Sequence, residues 1–177
     1  MPLARLLSFA EAVHRLVQRA KLLGQQLVEQ QLKLVLAESC TGGWVAKICT
    51  DVPGSSGWLD YGIVSYSNSA KQQLLGVSAH TLESKGAVSQ ETALEMAHGV
   101  IGGNPGRMAI AITGIAGPGG GSDQKPVGLV WFAWALGKRW SESESIIFKG
   151  NREAVREQSV EFAIEGALRR LSIPTIR

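Results

Sequence analysis

Ser39 is the first residue whose surroundings suggest chemistry. It follows the apolar run 33–37, Lys-Leu-Val-Leu-Ala, and is itself followed by Cys-Thr-Gly-Gly. This pattern predicts a strand that ends in a turn and leads into a helix, with the serine hydroxyl exposed above a sheet. The amides of Thr41, Gly42 and Gly43 would lie at the helix start, where unpaired N–H groups can bind an anion. The segment also suits an ordinary helix cap, by Ser39 or by Thr41. Nucleophile and cap both remain open at this point.

A serine nucleophile needs a base, because its hydroxyl is weakly nucleophilic near neutral pH. The three histidines, His14, His80 and His98, lie neither in turn signals nor beside a glycine-rich segment. Lysine can serve when burial or neighbouring charges lower its pKa from about 10.4. Lys71 follows a predicted strand and a polar turn, and Tyr66 could relay or position the proton. Both also fit ordinary structural roles, Lys71 as a solvated helix residue and Tyr66 as an amphipathic residue at the sheet edge.

A glycine-rich segment follows the predicted strand 108–113. Residues 114–122 read Gly-Ile-Ala-Gly-Pro-Gly-Gly-Gly-Ser, and glycines let backbone amides approach a ligand closely. The GxxxxGK[ST] and GxGxxG patterns are absent, so binding of a nucleoside triphosphate or a dinucleotide is weakly supported. A plain surface loop would have the same composition. The candidate substrate-binding residues here are Thr113, Gly114, Gly117, Gly119, Gly120, Gly121, Ser122 and Lys125.

Alternating strands and helices are predicted to position these residues. Helices are expected over 3–28, 41–50, about 72–75, from Ser89 onward and over 151–171, with Gly76 ending the short one. Strands are expected at 33–37, 58–66, 108–113, 127–136 and 144–148. This order predicts one α/β domain over 1–177, a three-layer α/β/α sandwich on a mixed, mostly parallel sheet. The N-terminal helix within 1–32 should pack on the core or on a partner subunit, which makes a homo-oligomer the expectation.

Composition excludes several classes of function. Lys and Arg number 18 against 15 Asp and Glu, a net charge of +3, and the basic residues are scattered, so nucleic-acid binding is not indicated. No apolar run reaches the ~20 residues that span a bilayer, and the N-terminus lacks the apolar centre of a signal peptide. We therefore expect a cytoplasmic protein. The two cysteines and three histidines have no ligand spacing, so neither a metal nor another cofactor is expected.

Four segments resemble the signatures of the CinA C-terminal domain family. They are Ala-Glu-Ser-Cys-Thr-Gly-Gly (37–43), Tyr-Ser-Asn with Ala-Lys (66–68 and 70–71), Gly-Ala-Val-Ser (86–89), and residues 112–122 with Lys-Pro-Val-Gly (125–128). They occur in the family's order, and the match runs from about 34 to 168. The chain resembles the stand-alone form of the family. The resemblance implies a nicotinamide-nucleotide amidase whose serine, tyrosine and lysine are Ser39, Tyr66 and Lys71.

The implied reaction converts nicotinamide mononucleotide and water to nicotinic acid mononucleotide and ammonia. Ser39 would attack the carboxamide carbon, neutral Lys71 would take its proton directly or through Tyr66, and amides near 41–43 would hold the oxyanion. The substrate phosphate is expected on the loop 114–122, with Lys125 or Arg152. The family usually has Gly-Asp-Arg before its last helix, whereas this chain has Gly-Asn-Arg at 150–152. Asn151 can still cap that helix but supplies no carboxylate to order Arg152.

Two alternatives follow from the same resemblance. One is a non-catalytic homologue that keeps the pocket and binds a nucleotide or a partner. The other is a DNA-associated protein connected with competence, as the family's name suggests. An assay of turnover tests the first, and a salt-dependent DNA titration tests the second.

Overall fold

The computed structural model describes the backbone of residues 3–172 and the side chains of residues 10–172. Residues 1–2 and 173–177 of the predicted domain lie outside the described residues. The helices are α1 (Leu3–Glu29), α2 (Trp44–Thr50), α3 (Asn68–Leu75), α4 (Ala79–Ser84), α5 (Gln90–Ile101) and α6 (Arg152–Leu171). The strands are β1 (Lys33–Glu38), β2 (Leu59–Val64), β3 (Arg107–Gly114), β4 (Leu129–Leu136) and β5 (Trp140–Ile147).

The five strands form one mixed sheet in the order β2-β1-β3-β4-β5. Strand β1 pairs in parallel with both β2 and β3. Strands β3 and β4 pair antiparallel, as do β4 and β5. The parallel strands are joined by helices, whereas no helix separates β3, β4 and β5, so the chain can return directly along its neighbour. The predicted α/β/α sandwich on a mixed sheet is confirmed, although two of the four strand pairs are antiparallel, so the sheet is not mostly parallel as the sequence suggested.

Each face of the sheet buries its own apolar cluster. Side chains along β3 alternate between the two faces: Met108, Ile110 and Ile112 join the cluster beneath α1, α2 and α6, while Ala109 and Ala111 join the one beneath α3, α4 and α5. The small residues of β3 let α5 lie close to the sheet.

Helix α1 packs on the core of its own chain. Its inward residues Leu16, Ala20, Leu23 and Leu27 are buried, and the helix contacts α6 and α2. Because this apolar stripe is already covered, it does not by itself require a partner subunit.

The segment after β1 differs from the prediction. Helix α2 begins at Trp44 rather than at Thr41, and β2 ends at Val64 rather than at 66. Gly42 and Gly43 have φ angles of 63° and 89°, which a right-handed helix cannot include. Residues 39–43 therefore form a separate turn, called the serine turn below.

Candidate active site

Ser39 lies at the carboxyl ends of the parallel strands. Its amide donates to the Ile112 carbonyl at 3.0 Å, which continues the pairing of β1 with β3. From β1 the chain continues to β2, which lies on one side of β1, and later to β3, which lies on the other side of β1. In open α/β sheets, ligands bind outside the carboxyl ends of strands at such a change of direction. The topology thus places the serine turn where a ligand site is expected.

Lys71 lies on α3, the helix after β2, and its side chain contacts Ser39 at the end of β1. Its Nζ donates to Ser39 Oγ at 2.9 Å and to the Ser65 carbonyl at 2.8 Å. Only 1% of Lys71 is exposed. Burial lowers the pKa of Lys71 from its usual 10.5, and the smaller opposing effect comes from Cys40. A lowered pKa enriches the neutral amine, the form that can accept a proton from a serine hydroxyl.

The position of Lys71 depends on how α3 is held. Ser67 caps this helix by accepting from the Ala70 amide at 3.0 Å, and Gly76 ends it in the left-handed conformation. Helix α5 approaches closely at Gly99, where an added Cβ would lie 1.8 Å from the Leu75 carbonyl oxygen. The absence of a side chain at Gly99 therefore allows the packing that orients α3.

Glu38 caps α2 from the end of β1. Its buried carboxylate accepts from the amides of Gly43 at 3.0 Å, Val45 at 3.2 Å and Ala46 at 2.9 Å. The Gly42 amide donates to the Ser39 carbonyl at 3.1 Å. Both glycine amides expected to hold an oxyanion are therefore engaged elsewhere, and this corrects that expectation.

Arg156 of α6 holds the other side of the serine turn. Its Nε donates to the Cys40 carbonyl at 3.1 Å and its Nη2 to the Thr41 carbonyl at 2.8 Å. Within the described part of the chain, the amides of Cys40 and Thr41 have no backbone or side-chain acceptor. Of the three amides expected to hold an oxyanion, only that of Thr41 lacks a protein acceptor among the described residues, but Thr41 is fully buried. The Cys40 amide, which was not predicted, is the other one without an acceptor there.

A cavity of about 210 Å³ opens beside Ser39. Six residues predicted from the sequence line it, namely Ser39, Tyr66, Lys71, Thr113, Gly114 and Arg152, together with Cys40, Ala87, Val88 and Ala116. Enclosed sites for drug-sized ligands are usually larger, roughly 300–1,000 Å³. The cavity therefore suits a small ring, with the rest of a larger ligand outside.

Tyr66 and Arg152 meet at the mouth of this cavity. Arg152 Nη2 donates to Tyr66 Oη at 2.9 Å and Nη1 to the Gly117 carbonyl at 2.7 Å. Tyr66 is 62% exposed. Because Tyr66 Oη is the acceptor in this bond, its own hydrogen is not used in it. Asn151 caps α6 by accepting from the Ala154 amide at 2.9 Å, so the loss of the family's aspartate leaves the cap intact.

The outer part of the glycine-rich loop lies apart from the cavity. Gly119, Gly120, Gly121, Ser122 and Lys125 are not among its lining residues, nor is Gly117. Ser122 and Lys125 close a tight turn, with the Ser122 amide donating to the Lys125 carbonyl at 2.8 Å. Lys125 Nζ donates to the Lys85 carbonyl at 2.5 Å. Arg152 is thus the predicted cation that the structure brings to the site.

The sequence interpretation missed Glu38, Ser65 and Arg156. A charged residue at the end of an apolar strand, as at Glu38, is a signal that could have been used, because buried carboxylates need partners. Arg156 follows Arg152 by four positions, so the two share a helix face. The Ser65 carbonyl carries no sequence signal.

The described residues hold neither a metal-ligand cluster nor a membrane-spanning helix. Among the side chains of residues 10–172, no group of three or more His, Cys, Asp or Glu could hold a metal ion. The helices in the same range are too short or too polar to cross a membrane.

Comparisons with known proteins agree on one family. The model described as CinA C-terminal domain matches residues 17–171. Nicotinamide-nucleotide amidohydrolase PncC of Escherichia coli (strain K12) is 46% identical over 150 residues, covering 85% of this chain and 91% of that protein. PncC of Enterobacter agglomerans is 52% identical over 133 residues, covering 75% and 81%. The crystal structure of competence/damage inducible protein CihA from Agrobacterium tumefaciens has a TM-score of 0.84 and 40% identity, covering 88% and 94%.

Proposed function

The chain belongs to the CinA C-terminal domain family, and we propose that it hydrolyses the carboxamide of nicotinamide mononucleotide through Ser39 and Lys71. Relatives named nicotinamide-nucleotide amidohydrolase, at 46% and 52% identity, support an amidohydrolase and this substrate class. The observation that carries the mechanism is the 2.9 Å contact between buried Lys71 Nζ and Ser39 Oγ.

Acylation begins with Ser39 Oγ attacking the carboxamide carbon. Neutral Lys71 takes the hydroxyl proton as the new C–O bond forms, and the carbonyl oxygen becomes an oxyanion. The amide of Cys40, whose residue lines the cavity, is the donor left to stabilise that charge, and one such donor contributes roughly 3 kcal/mol in well-studied enzymes.

Collapse of the tetrahedral intermediate breaks the C–N bond. Ammonia leaves with the proton that Lys71 holds, passed directly or through Tyr66, whose oxygen accepts from Arg152, and the lysine returns to its neutral form. Water then attacks the acyl-enzyme while the lysine amine takes one of its protons, and Ser39 Oγ departs with that proton. The products are nicotinic acid mononucleotide and ammonia, so atoms and charge balance.

Substrate binding follows from the lining of the cavity. We propose that the pyridine ring lies against Ala87, Val88 and Ala116, which offer apolar surface beside Ser39. The phosphate would then lie outside and pair with Arg152, because guanidinium groups bind phosphate oxygens in bidentate fashion. Lys125 is less suited, since its amine bonds to Lys85 away from the cavity. This chemistry needs no cofactor. A cytoplasmic location and a homo-oligomer rest on the sequence interpretation alone.

Release of ammonia from nicotinamide mononucleotide by the purified protein tests the activity. Ser39→Ala and Lys71→Met should each abolish release, while thermal unfolding shows that both variants fold. A fully active Ser39→Ala protein would end the mechanism, and a wild-type protein without turnover would leave the non-catalytic alternative.

The phosphate contact has a separate test. Arg152→Gln should lower kcat/KM for nicotinamide mononucleotide roughly 10- to 100-fold, the loss expected for a hydrogen bond to a charged group. The loss for nicotinamide riboside, which has no phosphate, should be smaller, whereas Lys125→Gln should change neither value. Equal losses for both substrates would move the phosphate away from Arg152.

A further inference from the structure

Thr113 is the neighbour of Ser39 on the adjacent strand. Ala37 of β1 pairs with Ala111 of β3, and both join the apolar cluster beneath α3, α4 and α5. The amide of Ser39 donates to the Ile112 carbonyl at 3.0 Å, so the same register continues past the end of β1. Side chains two residues apart point to the same face of a sheet, and neighbouring strands lie about 4.8 Å apart. Ser39 and Thr113 therefore project side by side from one face.

The hydroxyl of Thr113 has a fixed hydrogen-bond direction. Its Oγ1 lies 2.7 Å from the carbonyl oxygen of Ala87. A carbonyl oxygen carries no hydrogen, so the hydroxyl has to be the donor in this bond. The lone pairs of Thr113 Oγ1 can still accept a hydrogen bond, but the oxygen has no second hydrogen to give. Toward any other group it is an acceptor only.

This acceptor belongs to the wall of the cavity. Thr113 and Ala87, the two partners of the bond, both line the cavity together with Ser39. Only 1% of Thr113 is exposed, so few water molecules can reach its oxygen. A ligand group placed between Ser39 and Thr113 thus meets an acceptor that cannot turn into a donor.

A carboxamide and a carboxylate differ in what they offer to such an oxygen. The amide nitrogen carries two N–H donors, whereas both oxygens of a carboxylate only accept. A carboxamide whose carbon lies at Ser39 Oγ can direct one N–H toward Thr113. A carboxylate in the same place would set two acceptors against each other with no hydrogen between them. A site built to hydrogen-bond a substrate N–H rejects an analogue without it, because a buried polar group is left unpaired.

We propose that Thr113 determines the specificity of the site for a carboxamide: its Oγ1 accepts an N–H of the substrate amide and disfavours the carboxylate of the product. The inference rests on the proposed function, because it places the carboxamide at Ser39. The same contact favours release of the product, since hydrolysis replaces the N–H that faces Thr113 by a carboxylate oxygen.

Binding in a Ser39→Ala background tests this role without turnover. Isothermal titration calorimetry at one pH compares nicotinamide mononucleotide with nicotinic acid mononucleotide and with 3-acetylpyridine mononucleotide, in which a methyl group replaces the amide nitrogen. With Thr113 present, the amide should bind roughly 10-fold more tightly than the ketone, the value of one hydrogen bond whose loss leaves a buried acceptor unpaired. Thr113→Val is similar in shape but has no oxygen. It should lower the preference for the amide over each analogue roughly 10-fold.

Two further variants separate recognition from support of the cavity wall. Thr113→Ser keeps the oxygen and should keep the preference for the amide. Thr92→Val is the matched control, because Thr92 Oγ1 donates to the Gly86 carbonyl at 2.8 Å, next to Ala87, while Thr92 is not among the residues that line the cavity. This change loosens the same segment without removing an acceptor from the cavity, so the three ligands should share any loss of affinity and the preference should stay.

The outcomes distinguish this inference from the function on which it rests. If the wild type releases ammonia and Thr113→Val keeps the full preference for the amide, the specificity role is overturned and the amidase stands. Equal weakening of all three ligands in Thr113→Val also overturns it and leaves Thr113 as an anchor of Ala87. If the wild type releases no ammonia but Thr113→Val abolishes the preference, the proposed function fails and carboxamide recognition stands. Should Thr113→Val fail to fold, Thr113→Ala removes the same oxygen and decides by the same comparison.

Discussion

Replacing Glu38 tests how the serine turn and α2 are held. Glu38→Ala removes the acceptor of three amides and leaves those donors without a protein partner. Hydrogen bonds to charged groups contribute about 1.5–3 kcal/mol each, but water can reach part of the exposed helix start and offset some of the loss. We therefore expect the free energy of unfolding to fall by about 4 kcal/mol, within the range for breaking a buried charged contact.

The conservative change should have a smaller effect. In Glu38→Gln the side-chain oxygen can still accept up to two of the three amides, without charge, so we expect a loss of about 2 kcal/mol. For a chain of this length each kcal/mol lowers Tm by about 2–4 °C. The expected decreases are thus about 8–16 °C for Glu38→Ala and about 4–8 °C for Glu38→Gln.

Thermal unfolding followed by circular dichroism measures these shifts, and ammonia release below both transitions measures kcat. Glu83→Ala on α4 is the control, because Glu83 is exposed and makes no ion pair within the described residues. The order of stability should be control, Gln and then Ala, with kcat falling in the same order as the turn loosens. A Tm for Glu38→Ala equal to that of the control would refute the reasoning that this carboxylate caps α2.

Three further predictions concern the same site and its supports. Because burial lowers the pKa of Lys71, kcat/KM should rise with pH through an apparent pKa below 10.5 and then level off. The stability of the wild type relative to Lys71→Met should also rise with pH between the folded and unfolded pKa values, since the unfolded amine binds more protons there. A stability difference that does not change with pH would contradict the burial. Gly99→Ala should lower both stability and kcat, because its Cβ would meet the Leu75 carbonyl at 1.8 Å and displace α3; unchanged kcat with a normal Tm would show that α3 tolerates the shift. Burial raises the pKa of Cys40 and of Cys49 to about 12, so iodoacetamide at pH 8 should alkylate neither thiol in the folded protein, as mass spectrometry can check against the unfolded chain.

The sequence predicted every strand and every helix except α4 of the described residues, but not how the end of each element is satisfied. Apolar periodicity located β1, β3 and α6, and cap signals at Ser89 and Asn151 agree with the structure, where each side chain accepts from an amide three residues on. The start of α2 was misplaced because Ser39 and Thr41 are good capping residues, and propensity cannot detect a carboxylate arriving from the preceding strand. Gly42 and Gly43, whose positive φ angles make the helix begin later, are apparent in the sequence. The interpretation used them only as anion-binding amides.

Long-range pairing explains the remaining differences at the site. Lys71 was a candidate from its position after a strand, yet its contact with Ser39 depends on β2 lying beside β1, which local patterns do not give. The same holds for Arg156, which lies more than a hundred residues from the carbonyls that it contacts. The choice between Arg152 and Lys125 also required the fold, because both are basic residues near loops and differ in where their side chains find acceptors.

The capping of α2 excludes one of the two roles first open for Ser39, that of the helix cap. A helix of seven residues has little intrinsic stability, so its unpaired amides need an acceptor. If Ser39 or Thr41 supplied one, the side-chain oxygen would be turned toward α2. The Glu38 carboxylate is the acceptor instead, and Ser39 Oγ contacts Lys71. The amides of Cys40 and Thr41, which precede the helix, are not bonded to the carboxylate. The arrangement therefore separates stabilisation of the helix from the groups proposed to do chemistry, and a change at Glu38 should act mainly on Tm.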